Sequence, residues 1–555
     1  MRRVWLALVR LAAPRLRSRW ALPLLLATLG FLSNLFVAAY MRQTFDEKDH
    51  LQYGVLLAKG VARKFDPQMD SKMPVSWLNA VPTIVHSHLE PIGLPYVGVL
   101  LDHRVARCAT ILATFFFSLV VFSYAQAFYG RRAGLLAQTL FVLSPNINAH
   151  GTLTTTDLYG GLAIVCSLYA LHRFILNPSL GTAAITALAV ALAQLTKFVS
   201  LTLFVAVVLV PVAVALHGRW QPQIYKGPRL RQIVALIALT VLFSGVAINL
   251  AFLVYRPLQP LSDYQFRSEF FQRVQQIPIL RSIPMPLPQP FVQGLDWIEY
   301  HEKSGRQSGN VALLGEVRGP ELKEKGGFWH YYLVAYVLKT PLGMQILLAA
   351  GVGWIFRKRK LNDFLTHEFS LVLVAALIAI PLSLDSGKQI GVRHILPVLA
   401  IATIISGAAL APTAITRRRG MAVALGLVWT VVSVGSYYPH LIPYFNEIVL
   451  DRKMAYSYLA DSNLDWGQNS RAVHRFLDSN PEVALAPKAP TVGRALFPAN
   501  FVAGVFPTTA DHWIRQTRLQ PSAHVGYAHL LFDVTQADLD RLEAANSGSR
   551  AGGVD

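Results

Sequence analysis

The sequence predicts an all-α polytopic membrane protein of about eleven transmembrane helices, with a small α/β domain outside the membrane. Three observations predict it. Of 555 residues, 53% are hydrophobic and only 15% are charged, against roughly a quarter charged in soluble domains. The mean hydropathy is +0.40. Apolar runs recur along the chain, most of them long enough to cross about 30 Å of hydrocarbon as a helix. The formal net charge of +20 would suit a nucleic-acid partner, but a chain this apolar points to a bilayer, and no nucleic acid is expected. Cys108 and Cys166 both lie in apolar runs, which excludes a disulfide framework or a Cys-rich zinc module.

The first run is 21–40. Residues 1–19 hold six arginines and no acid, which keeps the N-terminus cytosolic. Val37-Ala38-Ala39 would pass for a signal-peptide cleavage site, but the apolar core is long for one. Further runs lie near 105–128, 133–149, 158–176, 182–196, 198–216, 232–254, 336–356, 367–384, 394–411 and 420–437. The run 182–196 is short and calls for a tilt or a tight hairpin with its neighbour. Eleven crossings place 41–104, 255–335 and everything from 438 onward outside. The basic residues agree: Arg131-Arg132, Arg173, Arg219 to Arg231, Arg357-Lys358-Arg359-Lys360 and Arg417-Arg418-Arg419 fall in every second connection. With the N-terminus, these cytosolic segments hold twenty basic residues against Asp363 alone. The excess charge therefore reports topology, not substrate.

The organisation follows: a membrane module over 1–437 with external loops 41–104 and 255–335, an extracytoplasmic domain over 438–545, and a tail, 546–555, expected to be disordered. In the first loop, LQYGVLLAKGVARKF reads as an amphipathic helix suited to the membrane surface. The second loop carries seven prolines between Pro257 and Pro290. In the C-terminal domain, GYAHLLFDVTQADLDRLEAANSG reads as a strand followed by a helix. No internal repeat is visible.

Candidate chemistry gathers at the outer boundary. Asp46-Glu47 stands a few residues beyond the first run, where carboxylates are ordinarily solvated. Held at the water–lipid boundary, such a carboxylate can deprotonate a hydroxyl nucleophile while a lipid-borne group departs. His150-Gly-Thr-Leu-Thr-Thr-Thr-Asp157 joins the third and fourth runs on the same face. Asp157 either caps the fourth helix or converges with the first acid pair. Lys72, Arg104, Arg107, Lys197, Lys339 and Arg393-His394 place cations where positive-inside logic disfavours them. Snorkelling explains some of these, and an anionic lipid headgroup would explain them together. Other motifs fail. There is no G-x-x-x-x-G-K-[ST]. Asp461-Ser-Asn463-Leu-Asp465 opens like a calcium loop, but Trp466 and Ala472 stand where glycine and glutamate are needed. His86-x-His88-x-Glu90 is weak as a zinc set. No serine has the G-x-S-x-G context.

Taken in order, these blocks resemble the C-type superfamily of membrane glycosyltransferases, specifically the protein O-mannosyltransferase group (family 39) and its bacterial relatives, the lipid A aminoarabinose transferases among them. The blocks are Asp46-Glu47, SKMPVSWLNA, SPNINAHGTLTTTD, QLTKF, LLGEVRGPELKEKGGFWHYYLVAYVLKTPLG and GVRHILPVLA, with YFNEIVL and YLADSNLDWGQ at the junction to the external tail. The resemblance covers nearly the whole chain. It implies a polyprenyl-phosphate sugar donor, mannose-like or another hexose, and an inverting transfer on the non-cytosolic face. Asp46 would be the general base on the acceptor hydroxyl, with Glu47 beside it and Asp157 supporting acceptor or sugar. Lys72, Arg107 and Arg393 would hold the lipid phosphate, with His394 nearby. His150, Lys197 and Lys339 join the substrate-binding set. One departure matters: Ser71-Lys72-Met73-Pro74 stands where the aminoarabinose transferases carry Glu-Lys-Pro-Pro, which puts a divalent metal there in doubt. The implied partners are the lipid-linked donor, membrane lipids and a protein, glycan or lipid acceptor at a bacterial inner membrane. The alternative is a transporter or flippase that binds lipid-linked sugars without chemistry.

Overall fold

The computed structural model describes residues 2–551 apart from 65–68, 94–95, 220–226, 306–308, 321, 412–415 and 507–511, with side chains within 19–545. All eleven apolar runs lie in helical segments. Among the described residues, six helices are long and apolar enough to cross a membrane alone: Arg19–Tyr40, His103–Tyr129, Asp157–Leu176, Phe198–Gly218, Leu230–Ala251 and Val392–Leu410. The run 336–356 is a broken pair, Tyr331–Lys339 and Leu342–Lys358, bent by 112°. The break falls at Thr340-Pro341, because proline offers no N–H and drives the residue before it out of the helical region; Thr340 is extended at ψ 131°. The run 133–149 breaks likewise at Ser144-Pro145 into Arg131–Leu143 and Pro145–His150. Leu180–Ala193 and Phe369–Leu384 are apolar but short.

The helices share one core. Tyr124 packs on Phe128, and Phe117 meets Phe141 edge-on at 4.7 Å. The segment 41–104 folds onto this bundle. Its helix Glu47–Ala58 buries Glu47, His50, Tyr53, Gly54 and Leu57, one face at three- and four-residue spacing. That face packs against the protein, mainly the helix Ser76–Leu89. The helix stops at Ala58, so only the first half of the amphipathic stretch read from the sequence is helical.

Contact between these two helices is backbone-close. A methyl added at Gly54 would lie 2.5 Å from the Ser76 carbonyl oxygen and 2.8 Å from Ala80 Cβ. Gly54→Val is therefore expected to pry the loop apart and cost about 1–3 kcal/mol, measured as a lower thermal midpoint of the detergent-solubilised chain.

The segment 255–335 supplies the helix Gln289–Ser304, closed at Gly305 in a left-handed conformation. Asp296 on that helix anchors the loop, accepting from the backbone N–H groups of Arg267 and Ser268 at 2.8 and 2.9 Å. Beyond the last membrane helix, a four-stranded sheet forms in the C-terminal region. Ala484–Leu485 pairs parallel with Gly493–Pro498, which pairs antiparallel with His529–Val534, itself antiparallel to Ala523–Val525. The helix Gln536–Ala551 follows directly. It overlaps the segment 546–555, of which residues 552–555 lie outside the described residues.

Candidate active site

A cavity of about 460 Å³ opens where the first loop, the turn before Phe198, the helices Gln289–Ser304 and Phe369–Leu384 and the 385–394 connection meet. Asp46 immediately precedes the first-loop helix, and its carboxylate accepts from Arg393 Nη1 at 2.8 Å. The same Nη1 stands 4.0 Å from Asp157 Oδ2. Lys197 pairs with the other oxygen of Asp157. Asp157 is not the cap of its helix: Thr156 holds that position with no side-chain bond, so the Asp157 carboxylate is left to the cations. Lys72 also lines the cavity, and its ammonium makes no hydrogen bond or ion pair among the described residues. His394 completes this wall, its Nδ1 3.3 Å from the Tyr332 hydroxyl.

Arg393 is positioned by three features. It sits in the turn Val392–Ile395, entered through Gly391 at φ +150° against Ser462, where a side chain would collide with the serine hydroxyl. The Val392 N–H donates to Asn463 Oδ1 at 3.0 Å. The guanidinium stacks on Trp466, 4.0 Å from the ring centroid.

Burial alone would raise the Asp46 pKa, but the neighbouring Arg393 and Lys72 outweigh it and hold the carboxyl below the usual carboxylate range. Burial pushes Lys72 down, against the pull of Asp46 and Asp49. Burial likewise brings Lys388 to about 8, with Glu302 opposing. Lys72, Lys197 and Arg393 are three cations to the two carboxylates Asp46 and Asp157 in this wall.

Six of the ten residues singled out in the sequence line this cavity: Asp46, Lys72, Asp157, Lys197, Arg393 and His394. Four do not. Glu47 and Arg107 turn the other way and pair with each other at 2.7 Å, both fully buried. Arg107 spends its remaining donors on the carbonyls of Ala38, Met41 and Arg42. It therefore has no donor left for a phosphate, and Glu47 has no open face for an acceptor. Lys339 donates to the carbonyls of Ile442 and Asn463 at 2.7 Å each, so it braces the loop that holds Arg393. His150 is buried edge-on against Trp466, one layer behind the wall.

The opposite side of the cavity was missed from sequence. Glu302 accepts from the Ser386 hydroxyl, Lys388 lies over Trp297 at 4.9 Å, and Lys303 pairs with Asp385. Burial raises the Glu302 carboxyl. The signals available were acids and lysines in EYHEKS and LDSGKQ, but they look like solvated loop charges. The tail junction, which fails as a calcium loop, supplies Asn463 and Trp466 beneath Arg393. Among the described residues no group of three or more His, Cys, Asp or Glu side chains gathers to hold a metal.

Residues 98–248 match the family described as dolichyl-phosphate-mannose-protein mannosyltransferase. It is the family group that the sequence blocks resemble. The matched segment contains Asp157 and Lys197 of the cavity, while Asp46, Lys72 and Arg393 lie outside it. No curated protein sequence matches the chain. The chain is similar to the solved structure of ArnT from Cupriavidus metallidurans bound to undecaprenyl phosphate, at 14% identity over 78% of this chain and 68% of that one, with a TM-score of 0.46. It is also similar to the Archaeoglobus fulgidus oligosaccharyltransferase in the apo form, at 12% identity over 74% of this chain and 54% of that one, TM-score 0.45. A third is the archaeal oligosaccharyltransferase AglB from the same organism, in complex with an inhibitory peptide and a dolichol-phosphate. There the identity is 11% over 82% of this chain and 59% of that one, TM-score 0.41. The chain thus spans less than two thirds of the length of both oligosaccharyltransferase chains.

Proposed function

We propose that the chain is a membrane glycosyltransferase that moves a hexose, mannose-like in character, from a polyprenyl-phosphate donor to an acceptor hydroxyl, with inversion. The observation that carries this reading is Asp46 set beside Arg393 and Lys72 in one cavity. The match to a mannosyltransferase family supports it.

The donor phosphate takes Arg393 and Lys72, with His394 alongside, and so draws Arg393 away from Asp46. The freed carboxylate accepts the proton of the acceptor hydroxyl. The acceptor oxygen bonds to the anomeric carbon as the carbon–oxygen bond to phosphate breaks, and the electron pair leaves with the polyprenyl phosphate. Cations stabilise that leaving group, so no general acid is needed. Asp157, held by Lys197, steadies Arg393 and supports acceptor or sugar. Leu377, Ile378, Pro381 and Leu382 line the apolar side of the cavity and suit the lipid chain. In the same reading the bent pair, the two shorter apolar helices, the broken run 133–149 and the helix Arg417–Gly435 bring the six long helices to eleven spans. The N-terminus is cytosolic, the cavity and the C-terminal domain face outward, and the membrane is a bacterial inner membrane.

The bent pair at Thr340-Pro341, like the break at Ser144-Pro145, favours a lipid-linked sugar transporter, since broken helices mark such folds. No half of either pair lines the cavity. Incubating the purified chain with a defined polyprenyl-phosphate mannose and candidate protein, glycan and lipid acceptors tests the reading. Glycosylated product of inverted configuration is expected. Lipid-linked sugar crossing vesicles with no product would replace it with the flippase.

Glu302 gives a finer test. Its carboxyl is pushed toward the neutral form, which the amide of glutamine imitates. Glu302→Gln is expected to keep kcat/KM within about threefold, and Glu302→Ala to lose about tenfold, as one buried hydrogen-bonding group goes missing. Equal losses in the two variants would show that the charged form is required.

A further inference from the structure

A second cavity, of about 230 Å³, lies away from the active-site cavity. It is formed between the Tyr40 end of the first membrane helix and the C-terminal-domain helix Ser470–Ser479. Phe36 and Tyr40 form its membrane side and are 56% and 41% exposed. Both rings are held: Phe36 stacks on Tyr438 at 5.5 Å and Tyr40 meets His440 edge-on at 5.2 Å. Arg471 and Arg475 form the other side. They are exposed and one helical turn apart, so they share a face. Neither guanidinium has an ion pair or hydrogen bond among the described residues. No carboxylate lines the cavity. The exposed Arg42 follows at the same edge, where its N–H donates to the Gln468 carbonyl at 3.0 Å.

The helix Arg19–Tyr40 is long and apolar enough to span a membrane, and aromatic residues at the end of such a helix sit at headgroup level. Two unpaired arginines directly above them meet phosphate in the geometry guanidinium groups favour. We propose that this cavity binds the headgroup of an anionic glycerophospholipid and thereby seats the C-terminal domain on the membrane. The net charge decides the lipid class. Cations with no acid beside them favour a headgroup that carries net negative charge over a zwitterionic one. The exposed aromatic side decides the source, since a soluble phosphate would leave the exposed faces of Phe36 and Tyr40 uncovered.

The test is native mass spectrometry of the full detergent-solubilised chain, titrated with phosphatidylglycerol or phosphatidylcholine. Wild type is expected to retain phosphatidylglycerol preferentially. The double substitution Arg471→Gln/Arg475→Gln is expected to weaken that binding about thirtyfold, each single about fivefold, and to leave phosphatidylcholine unchanged. Arg471→Lys/Arg475→Lys should restore most of the affinity. An unchanged thermal midpoint in all variants shows that the domain still folds, as expected for exposed side chains. Wild-type affinity in the double glutamine variant overturns the proposal. So does equal binding of the two lipids, which marks an unselective apolar belt, or full displacement by millimolar glycerol phosphate, which marks a soluble-anion site.

Discussion

Asp46→Asn is expected to lower kcat for sugar transfer by about a thousandfold while leaving donor binding intact, because asparagine keeps the shape but cannot take the proton. The loss should fall on kcat and not on KM. Arg393 retains Asp157 at 4.0 Å and its seat on Trp466, so the phosphate site survives the change. The pH dependence gives a second readout. In the free protein Arg393 and Lys72 hold the Asp46 carboxyl low, so it is fully ionised across the neutral range. When the donor phosphate draws those cations to itself, the carboxyl regains basicity. A group whose pKa rises on binding titrates at higher pH in the complex than in the free enzyme. The acidic limb of kcat, which reports the complex, should therefore lie at higher pH than that of kcat/KM, which reports the free enzyme. Near-normal turnover in Asp46→Asn, or acidic limbs in the reverse order, would remove Asp46 from the role of base.

Residue type and position at the ends of the apolar runs were enough to single out six residues that line one cavity, Asp46, Lys72, Asp157, Lys197, Arg393 and His394, since charges at a membrane boundary are costly enough to be informative. They were not enough to tell which charges are consumed by the protein itself. Glu47 and Asp46 are adjacent and chemically alike, yet a helix turns successive side chains by about 100°. One therefore faces the cavity and the other faces Arg107. Lys339 reads as a boundary cation, but its ammonium is satisfied by the carbonyls of Ile442 and Asn463, partners more than a hundred residues away that no local pattern reveals. The calcium-loop pattern at 461–465 fails at Trp466 and Ala472, and the chain uses Asn463 for backbone capture and Trp466 for packing instead. The membrane count shows the same limit. Hydropathy locates apolar runs, but Pro145 and Pro341 break two of them, and only six described helices are both long and apolar enough alone.

The Glu47–Arg107 pair carries the other large expected effect, and it falls on folding. Both side chains are fully buried. The carboxylate also accepts from the backbone N–H groups of Thr44 and Thr154 at 2.7 and 3.0 Å, which ties the first loop to the segment before Asp157. Removing one partner of a buried pair leaves an uncompensated charge and costs about 3–5 kcal/mol. Glu47→Gln is placed at the lower end, because the amide oxygen still accepts. Arg107→Gln should cost more, because the carbonyls of Ala38, Met41 and Arg42 lose their donors as well. Thermal unfolding in detergent gives the order. Burial pushes the Glu47 carboxyl up, and Arg107 with its hydrogen bonds overrides that and holds it below its ordinary 4.5. A depressed carboxyl contributes stability that is complete above the unfolded-state value and is lost as pH falls through the folded one. The gap between wild type and Glu47→Gln should accordingly be widest near neutral pH and close on acidification below about 4.5. Transfer per folded molecule should stay within about threefold of wild type in both variants. A thousandfold loss in well-folded Glu47→Gln would instead place Glu47 in the chemistry beside Asp46.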